Sequence, residues 1–247
     1  MGPEPTTPAA RPRTGAGLVA RAARTAARRR GAPALHPFGV HAEATLAVRP
    51  AGGAWGEPWL DEPGDHRVLL RWSRAAGLPG RLPDALGLAL RVHDAGGPGR
   101  PLDVLLTTSG GGRVTRHLPL PRLDATSGPY STLLAYRIGT RQGLLIAHPS
   151  GASPHVPSGL TALRAALERA PLAFHLCAAL PGGAWWHLGT LTTGPPLDLP
   201  PGETLSYDPY QHCLPGLRPT DRFSGVREAA YAASRAGRRA TEEVRGK

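Results

Sequence analysis

A chain of 247 residues with 40% apolar and 19% charged residues can bury one sizeable core, which excludes both a disordered polymer and a long array of domains. The formal charge of +11 sits at the ends: residues 1–33 carry +6 and residues 218–247 carry +4, leaving +1 for the body. Basic ends attract phosphates, but aromatics make up only 5% of the chain and none interleaves with a basic patch, so a base-stacking nucleic-acid surface is not expected.

In chain order, residues 1–33 read as a basic arm, with Leu18, Ala22 and Ala26 at helical intervals but little apolar bulk to dock it. No uninterrupted apolar run occurs there, because Arg21 follows Gly17-Leu18-Val19-Ala20 and the Arg28 to Arg30 cluster comes next. Neither a secretory signal nor a membrane span is expected. From Leu35 onward, short apolar runs are separated by Gly and Pro, and residues 42–48, 67–72, 85–92, 102–107, 144–147, 174–180 and 188–191 are predicted strands. That punctuation predicts an antiparallel barrel or sandwich, a mainly β member of the α+β class.

His93-Asp94 falls where the third run gives way to a Gly-Pro loop. With ten histidines in the chain it raises a metal-assisted phosphodiester hydrolase as a third reading, although such a pair more often just ends a strand. Residues 109–112 are Gly-rich but lack the Gly-Lys-Ser/Thr ending of a phosphate loop, and read as a hairpin turn. Residues 161–170 place Leu163 and Leu167, with Leu160 before them, on one helical side and stop before Pro171. Trp185 and Trp186 are adjacent in a strand, so alternation sends them to opposite faces, one to the core and one to an interface or under the arm. A Pro-rich loop then runs through Tyr207-Asp208-Pro209 to Pro215-Gly216. Cys177 and Cys213 are too few for a disulfide framework, which predicts a reduced, cytoplasmic protein.

In the helix predicted after that loop, Arg227, Tyr231, Arg235 and Arg238 are spaced four, four and three apart. At 100° per residue they fall within roughly 80° of arc, so one face carries a phenol flanked by three guanidiniums. A tyrosine oxygen binds ferric haem only as phenolate, whose free pKa is about 10, and nearby cations together with the iron favour that anion. Such a face suits a haem proximal helix. The plainer alternative is a solvated basic tail helix in a chain whose single lysine is Lys247.

Several segments, taken in order, resemble the catalase-like haem proteins. Pro215-Gly216, Asp221, Arg227, Tyr231, Arg235 and Arg238 are similar to that family's approach to its proximal helix, including the six-residue step from Asp221 to Arg227. Arg71-Trp72-Ser73 and residues 83–91 resemble its Arg-Phe-Ser and Asp-x-x-Gly-x-Ala strands. Leu102-Asp103-Val104-Leu105 resembles the strand before its distal amide, and Leu35-His36-Pro37-Phe38-Gly39 resembles its His-x-x-Gly motif. The likeness spans about residues 35–239, loosely between 130 and 191, and implies a minimal version of a longer family. It divides the chain into an arm (1–33), a catalase-like domain (34–240) and a charged tail (241–247).

The resemblance implies a catalase-like β-barrel with a C-terminal proximal helix, binding haem b. His36 becomes the distal base, with Ser73 fixing its tautomer. Arg71 and Arg238 meet the haem propionates, Tyr231 ligates iron, Arg227 holds the phenolate, and Arg235 lies on the same cofactor-facing side. Thr107 and Thr108 stand where the family has its distal asparagine, Pro33 where it has a further arginine, and the Gly-rich, polar residues 109–114 where paired phenylalanines wall the haem. These departures predict a peroxidase that reduces hydroperoxides at the expense of an unknown reductant, with weak or no catalase turnover. The same departures support a second reading, a haem-free binding or scaffold protein on the same barrel. By analogy with the family, a homo-oligomer built through the N-terminal arm is expected.

Overall fold

The computed structural model describes residues 39–49, 55–75, 77, 82–181, 183, 185–200 and 205–220. Its framework follows from alternation. In β1 (Gly39–Val48) the residues Val40, Ala42, Ala44, Leu46 and Val48 are buried, while Glu43 and Thr45 are exposed. The same parity continues in β2 (Gly64–Arg74), β3 (Leu86–Val92) and β4 (Leu102–Thr108), whose even-numbered apolar residues turn inward.

The chain continues with β5 (Tyr130–Ser131), β6 (Tyr136–Ile138), β7 (Arg141–Pro149), β8 (Ala173–Ala179), β9 (Trp185–Leu197) and β10 (Leu217–Pro219). All pairings among these ten strands are antiparallel. Eight of them, in the order β5-β4-β3-β2-β1-β9-β8-β7, form a ring, because β7 pairs with β5 on one side and β8 on the other. Closure leaves no free strand edge in the ring. The short β6 and β10 extend from the start of β7 as a flap, with Tyr136 opposite Gly143 and Leu217 opposite Ile138.

The barrel interior is a packed core rather than a channel. Trp72, Tyr130 and Phe174 meet edge to face, with centroids 5.7–6.3 Å apart. The Trp72 indole N–H donates to the Tyr130 hydroxyl at 3.0 Å, and that hydroxyl donates to the Ala125 carbonyl at 2.6 Å. Both polar tips of this aromatic cluster are therefore satisfied inside the apolar interior. A four-residue helix, α1 (Pro58–Asp61), precedes β2, and α2 (Leu160–Arg169) packs Leu163, Ala166 and Leu167 against β9 and β1.

The seven expected strands and the helix expected at residues 161–170 are all present, with shifted ends. Residues 109–112 do reverse the chain, since Leu120 N donates to Thr108 O at 2.8 Å, but through a wide loop holding a single 3-10 turn (Thr115–His117) in place of a tight hairpin. Trp186 packs against the main core and edge-on to Trp55 at 6.4 Å, whereas Trp185 packs on an outer cluster of Leu144, Ile146 and Ala179, so the two indoles do face opposite ways. Both cysteines are free thiols, and no described helix is long and apolar enough to cross a membrane.

Candidate functional site

Because inward positions on β1–β4 are even-numbered, the odd-numbered ones form rows across the outer face of the barrel. One row is Gly39, Ser73, Gly87, Thr107 and Ser131, each the register partner of the next. Every member is a glycine or carries a small hydroxyl side chain, so this row is low relief. The next row is His41, Arg71, Ala89 and Leu105, and the third is Glu43, Leu69, Arg91 and Asp103. Neighbouring strands lie about 4.8 Å apart, and rows two residues apart are separated by roughly 6.8 Å. Arg71, Ser73 and Thr107 thus share one face within about 12 Å of one another.

An outward face ordinarily meets water, but Ser73, Arg71 and His41 are only 3%, 6% and 8% exposed. The Ser73 hydroxyl lies 3.4 Å from the Gly87 carbonyl, a weak bond. Gly39 closes the His-x-x-Gly segment and has a packing reason to be glycine: a Cβ there would sit 2.9 Å from both Arg71 Nε and the Trp72 carbonyl oxygen. Its bare backbone lets the Arg71 side chain lie flat along the strand. His36, Arg227, Tyr231, Arg235 and Arg238 lie outside the described residues, as do the predicted arm and proximal helix.

His41 is a feature of this face that the sequence reading passed over. Its register partner is Arg71. Burial, reinforced by the Arg71 charge, lowers its pKa to about 4, so the ring is neutral at pH 7. Its Nε2 is buried with no hydrogen-bond partner. The alternation of β1 carries the signal that reveals it: Val40 and Ala42 point in, so His41 points out, beside Arg71. The shift also fixes a pH dependence. The ordinary value of 6.5 applies to the unfolded chain, which therefore takes up the proton first on acidification. This residue's contribution to stability is complete above pH 6.5 and falls away between about pH 6.5 and 4. Against His41→Phe, the wild type should lose about 2 kcal/mol more over that interval, once solvent screening is allowed for. Urea midpoints at pH 7 and pH 4 read this, and parallel losses in the two proteins would contradict it.

The Leu69, Arg91 and Asp103 end of the third row is clamped under the loop of residues 205–216. Asp103 is fully buried, and its carboxylate accepts Arg91 Nε at 2.8 Å, Arg91 Nη2 at 2.7 Å, the Asp208 backbone N–H at 2.7 Å and His212 Nδ1 at 2.8 Å. Arg91 also donates to the Ser206 carbonyl at 2.7 Å and lies 5.2 Å from the Tyr207 ring centroid. Burial pushes the Tyr207 phenol above its ordinary range despite the nearby Arg91 and Arg71 charges, so this tyrosine is neutral. It walls one end of the face.

His93-Asp94 forms no cluster: β3 ends at Val92, and Asp94, with a φ of 53°, caps a turn by accepting Gly99 N–H at 2.7 Å. Among the described residues, no group of three or more His, Cys, Asp or Glu side chains is placed to hold a metal ion.

No family profile matches the sequence, and no curated protein matches it. Similarity appears in three dimensions. The chain is similar to a bacterial catalase with a TM-score of 0.64 at 14% identity, over 83% of this chain and 57% of that one. It is similar to a fungal catalase with a TM-score of 0.54 at 12% identity, over 84% of this chain and 58% of that one. The chain therefore spans less than two thirds of the length of either catalase. At such identities the likeness is one of fold, and the closed antiparallel barrel of this protein is catalase-like.

Proposed function

We propose that this chain is a small haem-dependent peroxidase that reduces hydroperoxides, with little or no disproportionation of peroxide. The observation that carries the reading is the shielded outer face of β1–β4, where Arg71, Ser73 and Thr107 stand in adjacent rows at the positions the sequence resemblance singled out. The face suits a porphyrin chemically. A haem is a flat apolar ring with two carboxylates, and here small side chains lie beside Ala89 and Leu105, with a buried guanidinium and an unpartnered imidazole nitrogen at one edge.

In this reading Arg71 and Arg238 would hold the propionates through paired, charge-assisted bonds. Tyr231 would hold the iron as phenolate, with Arg227 and Arg235 one turn away favouring that anion. Haem iron, when bound, supplies the electrons that reduce the peroxide bond, and an external reductant restores them. The protein moves the proton. His36 takes it from one peroxide oxygen and returns it to the other, so that the departing group leaves as water instead of hydroxide. Ser73 keeps the His36 ring in the tautomer that can accept it. Thr107 presents a hydroxyl where the resembling family has an amide, so peroxide is positioned differently, and that argues for peroxidase over catalase turnover.

Purified protein titrated with hemin should develop a Soret band that Tyr231→Phe shifts or abolishes. An unchanged spectrum in that variant would remove the ligand assignment. The alternative, a haem-free barrel used for binding, is favoured by the loop after β4: Gly111 to Val114 are exposed and carry no aromatic side chain to wall a ring. Protein isolated without haem that takes up no added hemin would establish it.

A further inference from the structure

We propose that His175 and His187, on neighbouring strands of the barrel's outer face, form a two-imidazole site for a divalent transition-metal ion of the zinc type, with water completing the coordination shell. The site uses β8 and β9 and involves none of the residues assigned to haem above, so it stands or falls independently of that reading.

Its geometry comes from an irregularity in the sheet. Leu176 of β8 lies opposite Gly189 and Cys177 lies opposite His187, so one residue of β9, Leu188, has no counterpart. Had the register run on, His187 would stand opposite Ala178 and share its inward face, since Ala178 belongs to the main core. The extra residue reverses the alternation. Leu191 points inward on one side of it, Leu188 and Trp186 pack on the core on the other, and His187 is turned out beside His175.

The two rings then stand with centroids 5.6 Å apart and planes at 62°. An imidazole nitrogen ligates zinc at about 2.0–2.1 Å, which puts the metal roughly 3.2 Å from each ring centroid, and a tetrahedral angle separates such centroids by about 5.2 Å. The rings need to close by only about 0.4 Å to share an ion. His175 is exposed and His187 partly so, which leaves the approach open. Neither has a hydrogen-bond partner among the described residues, so each keeps a nitrogen lone pair to offer.

The neighbours explain why the set is a pair. Cys177 faces His187, but burial pushes its thiol up, and its S–H points to the His175 carbonyl at 3.8 Å, so it stays protonated and does not ligate. His148 is the register partner of His175, yet it lies in the field of Arg122, which disfavours a cation there. This agrees with the absence of a three-ligand group among the described residues. Two nitrogen donors select zinc or its neighbours over magnesium or calcium, which require oxygen ligands. Two positions are left to water, which makes this an open site rather than a closed structural one.

The test uses the full-length protein with Zn²⁺ alone, and Mg²⁺ as the hard-ion control. In nuclear magnetic resonance spectra of the histidine side chains, the His175 and His187 resonances should move together at the same Zn²⁺ concentration and stay in place with Mg²⁺, a reading that needs no variant. Competition against a zinc-binding dye should show affinity falling roughly tenfold or more in His175→Gln and in His187→Gln, because either change leaves a single imidazole. The double variant should be little weaker than either single one, while His148→Gln and Cys177→Ser should bind zinc as the wild type does. Unmoved resonances, movement of one ring without the other, or single variants with wild-type affinity overturn the proposal. So does a shift spread evenly over exposed histidines such as His117 and His155, which marks adventitious binding. A tenfold loss in His148→Gln or Cys177→Ser overturns the two-imidazole set in favour of a larger one.

Discussion

His36→Ala is expected to slow the reaction of the haem-loaded protein with hydrogen peroxide by about 10²- to 10⁴-fold, the range a positioned proton carrier contributes, while the Soret band stays in place. The two halves of this expectation separate chemistry from binding. The porphyrin is held, in the proposed arrangement, by Tyr231 and the arginines, none of which the substitution touches. What is lost is the group that keeps the leaving oxygen from departing as hydroxide. Stopped-flow absorbance at several peroxide concentrations measures the second-order rate constant directly. A neutral, unhindered replacement such as His36→Gln should be nearly as slow, because an amide does not accept and return a proton near neutral pH. Rates in His36→Ala equal to wild type would remove the base from this position. The motivation is local. Gly39, three residues on, stands in the row that includes Ser73, Gly87 and Thr107.

The barrel was legible because its strands alternate cleanly. In β1 the inward Val40, Ala42, Ala44, Leu46 and Val48 are separated by Glu43 and Thr45, a pattern no helix would bury. The strands that escaped notice are two or three residues long: Tyr130–Ser131, Tyr136–Ile138 and Leu217–Pro219 are too short for any period to register, and tertiary pairing alone defines them. The candidate site was legible in part. Arg71, Ser73 and Thr107 were singled out by resemblance, and odd-even parity then puts all three on one face. His41 was not, because a histidine in an alternating strand reads as solvent-facing: parity puts it outward beside Arg71, and only its 8% exposure shows that it is buried there. The Asp103 clamp lay beyond sequence reasoning altogether, since its partners Arg91, Asp208 and His212 come from distant segments and no local spacing announces them.

That clamp carries a large expected stability effect. Asp103→Ala should cost about 3–5 kcal/mol, because it leaves the partly buried Arg91 guanidinium without its carboxylate and removes the acceptor of a backbone N–H and an imidazole N–H as well. Asp103→Asn keeps the shape but loses the charge, and turns a carboxamide N–H₂ toward donors, so it should cost nearly as much. His212→Ala should be milder, about 1 kcal/mol, since that ring is only half-buried and water can replace it at the carboxylate. Urea unfolding distinguishes these cases by midpoint at constant slope. The order matters more than any single value. If Asp103 is the point to which the loop of residues 205–216 is tied, the loss must grow from His212→Ala to Asp103→Asn to Asp103→Ala. Double substitution of Arg91 and Asp103 by apolar residues of similar volume must then recover stability relative to Asp103→Ala, as the uncompensated charge disappears. A loss below 1 kcal/mol in Asp103→Ala would mean that the loop is held by its apolar contacts alone, among them Leu214 packed into the main core. The wall that Tyr207 makes at the edge of the outer face would then be set by packing rather than by charge.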